Sequence, residues 1–402
     1  MPLSGIKREA KIEASNVRNV FTPNTPIHVL KLFHGRTKTV SKLLENLNTP
    51  GQHAMLYGDR GVGKSSLANI ITQLLIQKFM DYQLYKKKCC AQDNYQTIFE
   101  GLIEKINKIR KIDVNSEGDL RVNILETKNN NLIPSFVAEL LEKEEGVFYI
   151  DEADRLINKQ DKIDLADTIK HLSDMDSPFK ILLVGIAKTG DELRAGHPSV
   201  QRCLKETKLE RMKHKEIREI IESGSKEIGY EFYDDVIESI VNLSSGYAHF
   251  THLISLKCVE KAIDKDVKTI DRYILHTAII DAMEEAQGTL RNSYDAAVRS
   301  ANTDMFKIVL LAAAKLGNEY EFNINSWREE IENYTGNEIT VQKLTSYQRR
   351  LVANDESAII QRIAKGVYKF NDPRMPSFIR LCNFQEEKTT KHYKGFQPRV
   401  FQ

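Results

Sequence analysis

The chain has 402 residues, more than one hydrophobic core usually serves, so two or three domains are expected. Hydrophobic residues at 41% and charged residues at 28% fit an ordinary soluble globular protein. A formal net charge of only +2 argues against a globally basic nucleic-acid binder and leaves local patches as the basic surfaces to consider.

Residues 1–30 are polar, carry three prolines and read as an N-terminal arm. Residues 31–210 alternate short apolar runs with helical periodicity, the pattern of a parallel α/β sheet. His53–Tyr57 is an expected strand ending at Gly58, and Lys64–Phe79 repeats Leu67, Ile70, Ile71, Leu74 and Leu75 at helical spacing. Gly146–Ile150 and Ile181–Val184 are continuously apolar, as strands covered on both faces require. Residues 211–298 show no comparable strand signal. Glu216–Glu222, Asp234–Leu243 and Phe250–Ile263 read as helices, which makes a helical second domain. Residues 285–303 are polar and are expected to bridge to a third unit, placed over 299–385. There, helices at Met305–Leu316 and Val341–Ala353 flank helical potential around Trp327–Tyr334. Two β-like runs follow, Ala358–Ile363 and Val367–Phe370, completing a winged-helix pattern. Residues 386–402 are polar and basic and read as a flexible tail.

The five cysteines form no CxxC pair, so they read as reduced thiols of a cytoplasmic protein. No apolar run approaches the ~20 residues that span a bilayer, and the N-terminus lacks the apolar stretch of a secretory signal.

Two motifs carry chemistry. Gly58-Asp59-Arg60-Gly61-Val62-Gly63-Lys64-Ser65, followed by Ser66, matches G-x-x-x-x-G-K-[ST] between an expected strand and an expected helix. Glycines let the backbone N–H groups wrap a phosphate chain, and the helix adds its positive end. Lys64 would pair with the β- and γ-phosphates of ATP, and the Ser65 hydroxyl would bind Mg²⁺. The apolar strand ending in Asp151-Glu152 supplies the second motif. With its strand expected beside the P-loop strand, Asp151 would hold Mg²⁺ through water and Glu152 would activate the attacking water. Asp154 and Arg155 read as capping or surface residues.

A P-loop, an apolar strand ending in Asp-Glu, a further apolar strand and a helical lid resemble an AAA+ ATPase of the initiator branch. That branch includes the origin-recognition and Cdc6 proteins and the TniB/TnsC-type regulators. Leu32-Phe-His-Gly35-Arg36 is similar to the adenine-side segment, Lys180–Ile186 to the sensor-1 strand, Gly196–Arg202 to the arginine-finger region and Ser245–Phe250 to the sensor-2 turn. The resemblance implies an α/β P-loop NTPase (ASCE/AAA+) parallel sheet with a helical lid and a C-terminal winged helix. It further implies an ATP site shared in a homo-oligomer, with Arg202, or else Arg194, reaching a neighbour's γ-phosphate. Lys188 or Thr189 stands at the sensor-1 asparagine position and His249 at the sensor-2 arginine position.

On the Val341–Leu351 helix, Gln342, Lys343, Ser346, Arg349 and Arg350 would face outward, with Arg362 and Lys365 on the wing. This surface resembles one that contacts duplex DNA. Lys86-Lys87-Lys88 and Lys105/Lys108/Arg110/Lys111 read as solvated surface, with a phosphate-tracking inner surface of a ring or filament as the alternative. Two functions follow from these features. One is an ATP-hydrolysing AAA+ switch that assembles with ATP and acts on DNA. The alternative is a regulatory ATPase that gates a protein effector, for example in bacterial defence, without DNA binding. A signalling NTPase that holds nucleotide as a latch is a weaker third.

Overall fold

The computed structural model describes residues 16–78, 82–117, 131–185, 199–286, 288–299, 303–316, 321–352 and 358–392. Two compact units divide the chain: Pro26–Glu210 is one, and the segments before and after it form the other.

The first unit is a five-stranded sheet built from β1 (His53–Gly58), β2 (Gln83–Lys88), β3 (Gly146–Asp151), β4 (Lys180–Gly185) and β5 (Leu204–Leu209). Their order is β2-β3-β4-β1-β5, and every pairing is parallel. Helices connect them, as parallel strands require: α1 (Thr37–Asn48) precedes β1, and α2 (Lys64–Lys78), α3 (Tyr95–Glu117), α4 (Pro134–Leu141) and α5 (Lys159–Asp174) follow in turn. A short α6 (Val200–Cys203) leads into β5. β3 and β4 are buried almost throughout, which explains their unbroken apolar runs. Phe99, Phe148, Ile169 and Phe179 belong to the core on one face of the sheet. Of the tyrosines near the basic cluster, Tyr85 and Tyr95 are buried.

β3 does not lie beside β1. β4 lies between them, pairing Met55 with Leu183 on one side and Ile150 with Leu183 on the other. The adjacency expected from the sequence is corrected here, because strand order is a non-local property that periodicity does not encode.

The second unit opens with a helical turn at residues 16–20 and continues from Arg211. Its helices are α7 (His214–Ile228), α8 (Asp234–Ser244), α9 (Ala248–Asp264), α10 (Arg272–Glu285) and α11 (Gly288–Val298). A pair of two-residue parallel strands, β6 (Glu231–Phe232) and β7 (Thr269–Ile270), is too short to leave a sequence period. Val17 and Phe21 are each 1% exposed. Phe21 lies edge-on to Phe232 and His252, and its ring occupies the space a side chain at Gly224 would need. Arg18 adds an ion pair to Glu260. The arm expected from the prolines is thus seated on the helices over residues 16–25. Residues 288–298, expected as a polar bridge, form α11. Its Leu290, Tyr294 and Ala297 are buried at a spacing the surrounding polar residues mask.

The remainder holds α12 (Met305–Leu316), β8 (Phe322–Asn323), α13 (Ile324–Thr335), α14 (Val341–Leu351), β9 (Ile360–Ala364), β10 (Val367–Phe370) and α15 (Met375–His392). The three strands form an antiparallel sheet in the order β8-β10-β9. Fully buried Trp327 donates from Nε1 to the Val309 carbonyl at 2.8 Å and packs among Phe322 and Tyr368. α15 runs to His392, into the stretch expected as a flexible tail, because a helix anchored by Phe378, Ile379 and Leu381 propagates cheaply through good helix formers such as Glu386, Glu387 and Lys388. Among the described residues, no helix is long and apolar enough to cross a membrane. The cysteines are free, and all except Cys90 are buried.

β1 begins with His53, which is 1% exposed and accepts the Ile181 N–H at Nδ1 over 3.0 Å. Burial, reinforced by neighbouring Lys180, pushes its pKa down to about 3. The unfolded chain protonates near the ordinary value, and the folded chain does not until far lower. Stability is therefore intact above about pH 6.5 and falls as the pH drops towards 3, by on the order of 3–5 kcal/mol. Melting temperature should drop between pH 7 and pH 4, and His53→Gln should flatten that drop.

Candidate active site

The loop between β1 and α2 is built by its glycines. Gly58, Gly61 and Gly63 all have positive φ. A Cβ at Gly58 would lie 2.3 Å from the Leu209 carbonyl oxygen, so β5 packs on bare backbone there. At Gly63, by contrast, a Cβ would meet nothing within 4 Å. Val62 is buried and Arg60 is exposed. α2 starts at Lys64, and its first interior bond runs from Leu67 N–H to the Gly63 carbonyl.

Lys64 folds back over the loop. Its Nζ donates to the carbonyls of Gly58, at 3.0 Å, and Asp59, at 2.8 Å. Burial lowers its pKa, and the nearby Asp154 and Asp151 oppose that shift. The two sequence motifs therefore meet at one end of the sheet, across the intervening β4. Ser66 accepts the Ile27 N–H at 3.0 Å, and Asn69 donates to the Ile27 carbonyl at 3.4 Å, fixing the chain before the sheet alongside α2. Arg36, in a left-handed conformation beside Gly35, is buried and donates to the Glu210 carbonyl, so it anchors the segment after β5.

At the end of β3 the Asp151 carboxylate accepts the Tyr149 hydroxyl at Oδ2, 2.7 Å, and the Glu152 N–H at Oδ1, 3.0 Å. Glu152 has φ 54° and ψ 41°, a left-handed conformation that turns the chain sharply. A residue with a side chain held there carries strain of about 1–3 kcal/mol. Its carboxylate faces Lys88 at 3.1 Å and Arg155 at 3.7 Å. Both pairs are largely exposed, so each contributes no more than about 1 kcal/mol.

The lysine run read as solvated surface is mostly engaged. Lys86 donates to Asn69 Oδ1 at 2.9 Å, Lys87 pairs with Asp93, and Lys105 donates to the Lys86 carbonyl. Arg202 precedes β5 and so lies at the edge of the sheet opposite the P-loop, since β5 runs parallel to β1 with Leu204 beside His53. His249 places Nδ1 2.9 Å from the Pro23 carbonyl, within the helical unit. Lys188, Thr189, Arg194 and Gly196 lie outside the described residues. Arg350, expected to face outward, is exposed, and it also donates to the carbonyls of Ala296 and Arg299 and stacks on Phe306. It thereby caps the end of α11, a partner that only the fold brings near. Arg349 is exposed.

Sequence reasoning passed over Tyr149, Asn69, Lys86 and the role of Lys88. A tyrosine two residues before Asp151 on a strand must face the same side, and that was the available signal.

A phosphate-wrapping loop, its lysine and an acidic strand end on a parallel sheet define a P-loop NTPase. The chain belongs to the novel STAND NTPase 1 family, whose model matches residues 28–366. No curated protein matches it significantly. Its fold is similar to that of a Walker-type ATPase of Pyrococcus abyssi, with a TM-score of 0.54, 18% identity, and coverage of 90% of this chain and 99% of that one. It is also similar to the ORC2 protein of Aeropyrum pernix, with a TM-score of 0.52, 16% identity, and coverage of 93% and 98%. The initiator-like architecture is thus present as a fold, within a family the motifs alone had not named.

The two ends of the loop should respond differently to a methyl group. Gly58→Ala collides with β5 and should lower stability by about 1–3 kcal/mol, read as melting temperature. Gly63→Ala meets no neighbour, so its cost should be confined to the strain of a side chain at positive φ, and it should melt closer to the wild type.

Proposed function

We propose that this chain is an ATP-binding, ATP-hydrolysing switch with Glu152 as its catalytic base. The observation that carries the reading is the meeting of the Gly58–Ser65 loop with Asp151 and Glu152 at one end of a parallel sheet. Backbone N–H groups of Asp59, Arg60, Gly61, Val62 and Gly63 would wrap the triphosphate, with Ser66 at the start of α2 beside them. Lys64 would exchange two carbonyl acceptors for β- and γ-phosphate oxygens. The Aeropyrum pernix protein was solved as ADPNP–ADP complexes, which supports an adenine nucleotide as ligand.

The donor set fits magnesium. Ser65 and Asp151 offer hard oxygens, and among the described residues no group of three or more His, Cys, Asp or Glu could form a full cage. Mg²⁺ ordinarily takes one or two protein oxygens and completes its shell with phosphates and water. When bound, it neutralises charge on the β- and γ-phosphate oxygens. Glu152, freed from Lys88 and Arg155, would take a proton from the attacking water.

Arg202 sits too far from its own P-loop to touch that nucleotide, so a role as an arginine finger requires a second copy. The helices and three-stranded sheet beyond residue 303 support a winged helix. Gln342, Lys343, Ser346, Arg349, Arg362 and Lys365 are its candidate contacts to duplex DNA. The docking of a protein effector on the same face is the alternative. ATPase activity measured with and without duplex DNA, alongside the mass of the ATP-bound oligomer, separates the two. DNA-stimulated turnover supports the first, and ATP-dependent oligomers indifferent to DNA support the second. Absence of any affinity for purine nucleotides with magnesium would remove both.

Lys88→Ala should raise basal ATP turnover, by no more than about fivefold given the small worth of an exposed pair. Glu152→Gln should bind ATP and turn it over slowly. For Arg202, the expected outcome is complementation. Arg202→Ala and Lys64→Ala chains, each inactive alone, should regain turnover when mixed. No recovery would exclude action between copies.

A further inference from the structure

Tyr149 stands where β3 needs only an apolar residue. It is 4% exposed, and it shares a strand face with Asp151. Its hydroxyl donates to Asp151 Oδ2 at 2.7 Å. Asp151 Oδ1 accepts the Glu152 N–H at 3.0 Å. Two donors therefore fix the rotation of the carboxylate, and each oxygen keeps a lone pair for another partner.

The phenol is held from behind as well. Lys86 is the register partner of Tyr149 on β2 and places Nζ 5.7 Å from the ring centroid. Asn69, one helical turn beyond Ser65 on α2, accepts from that same Nζ at 2.9 Å. Asn69, Lys86, Tyr149 and Asp151 thus form one polar chain between α2, β2 and β3.

We propose that Tyr149 is a positioning residue, whose hydroxyl fixes the Asp151 carboxylate in the orientation that magnesium-bound ATP requires. The inference rests on the reading of this site as an ATP site. Magnesium demands near-octahedral geometry and keeps its own waters, so a ligand that swings freely serves it poorly. Partners that orient metal ligands ordinarily change metal affinity by 10- to 100-fold when removed. Tyr149→Phe deletes a single oxygen and preserves the ring.

The test uses the full chain and a fluorescent ATP analogue, with Mg²⁺ as the titrant. Tyr149→Phe should need about tenfold more Mg²⁺ than the wild type for half-maximal tightening of nucleotide binding. Its affinity for the nucleotide in EDTA and its melting temperature should match the wild type, which a merely structural role would not predict. In an Asp151→Asn background the same change should add nothing. Lys86→Met loosens the ring but leaves the hydroxyl. It should shift the Mg²⁺ midpoint in the same direction by less, and it carries the test should Tyr149→Phe not fold. An unmoved midpoint overturns the proposal. So does a lower midpoint, which would mean that the hydroxyl occupies the place of the metal. If the wild type binds nucleotide normally in either case, the ATP reading stands. A wild-type chain that binds no nucleotide overturns both.

Discussion

At the end of β1 the backbone presses so closely on the Leu209 carbonyl that only a glycine fits, and the geometry of the site follows from that contact. Gly58 ends the strand, and the loop leaves it in conformations that side chains rarely adopt. α2 then begins at Lys64. Because β4 locks both β1 and β3 in register, Asp151 comes within electrostatic reach of Lys64.

The charges gathered there are balanced against one another. Lys64 spends its donors on two carbonyls, Lys86 on Asn69, and Lys88 on Glu152. Each of these contacts is weak enough to be exchanged. A triphosphate offers Lys64 charged acceptors, which form stronger hydrogen bonds than carbonyls do. The restraint on Glu152 is worth little because both its partners are solvated. A site arranged in this way needs no large rearrangement to accept a ligand, since it is held by contacts that the ligand outbids.

The legible parts of the sequence were those whose chemistry is local. Gly58–Ser65 and Asp151-Glu152 are contiguous because a tight loop and a strand end need neighbouring residues, so pattern alone exposed them. The paired strands around Gly366 were legible through their turn. What escaped is what the fold assembles from distant pieces. The position of β4 between β1 and β3 has no sequence signal. Lys88 is the surface lysine the sequence suggests, but only the fold shows that β2 delivers it to Glu152. Arg350 is likewise exposed, but only the fold shows the α11 carbonyls it caps. α11 itself was hidden because a helix with few buried residues resembles a polar linker.

The sheet's outer strands bear a further consequence. β2 ends in three lysines, and β5 carries Lys205 and Lys208, both exposed along the other border. Unpaired strand borders invite pairing with other chains, and lysine is the residue that most often prevents it. Backbone pairing from sheet to sheet, the route to fibrils, is therefore opposed at both margins.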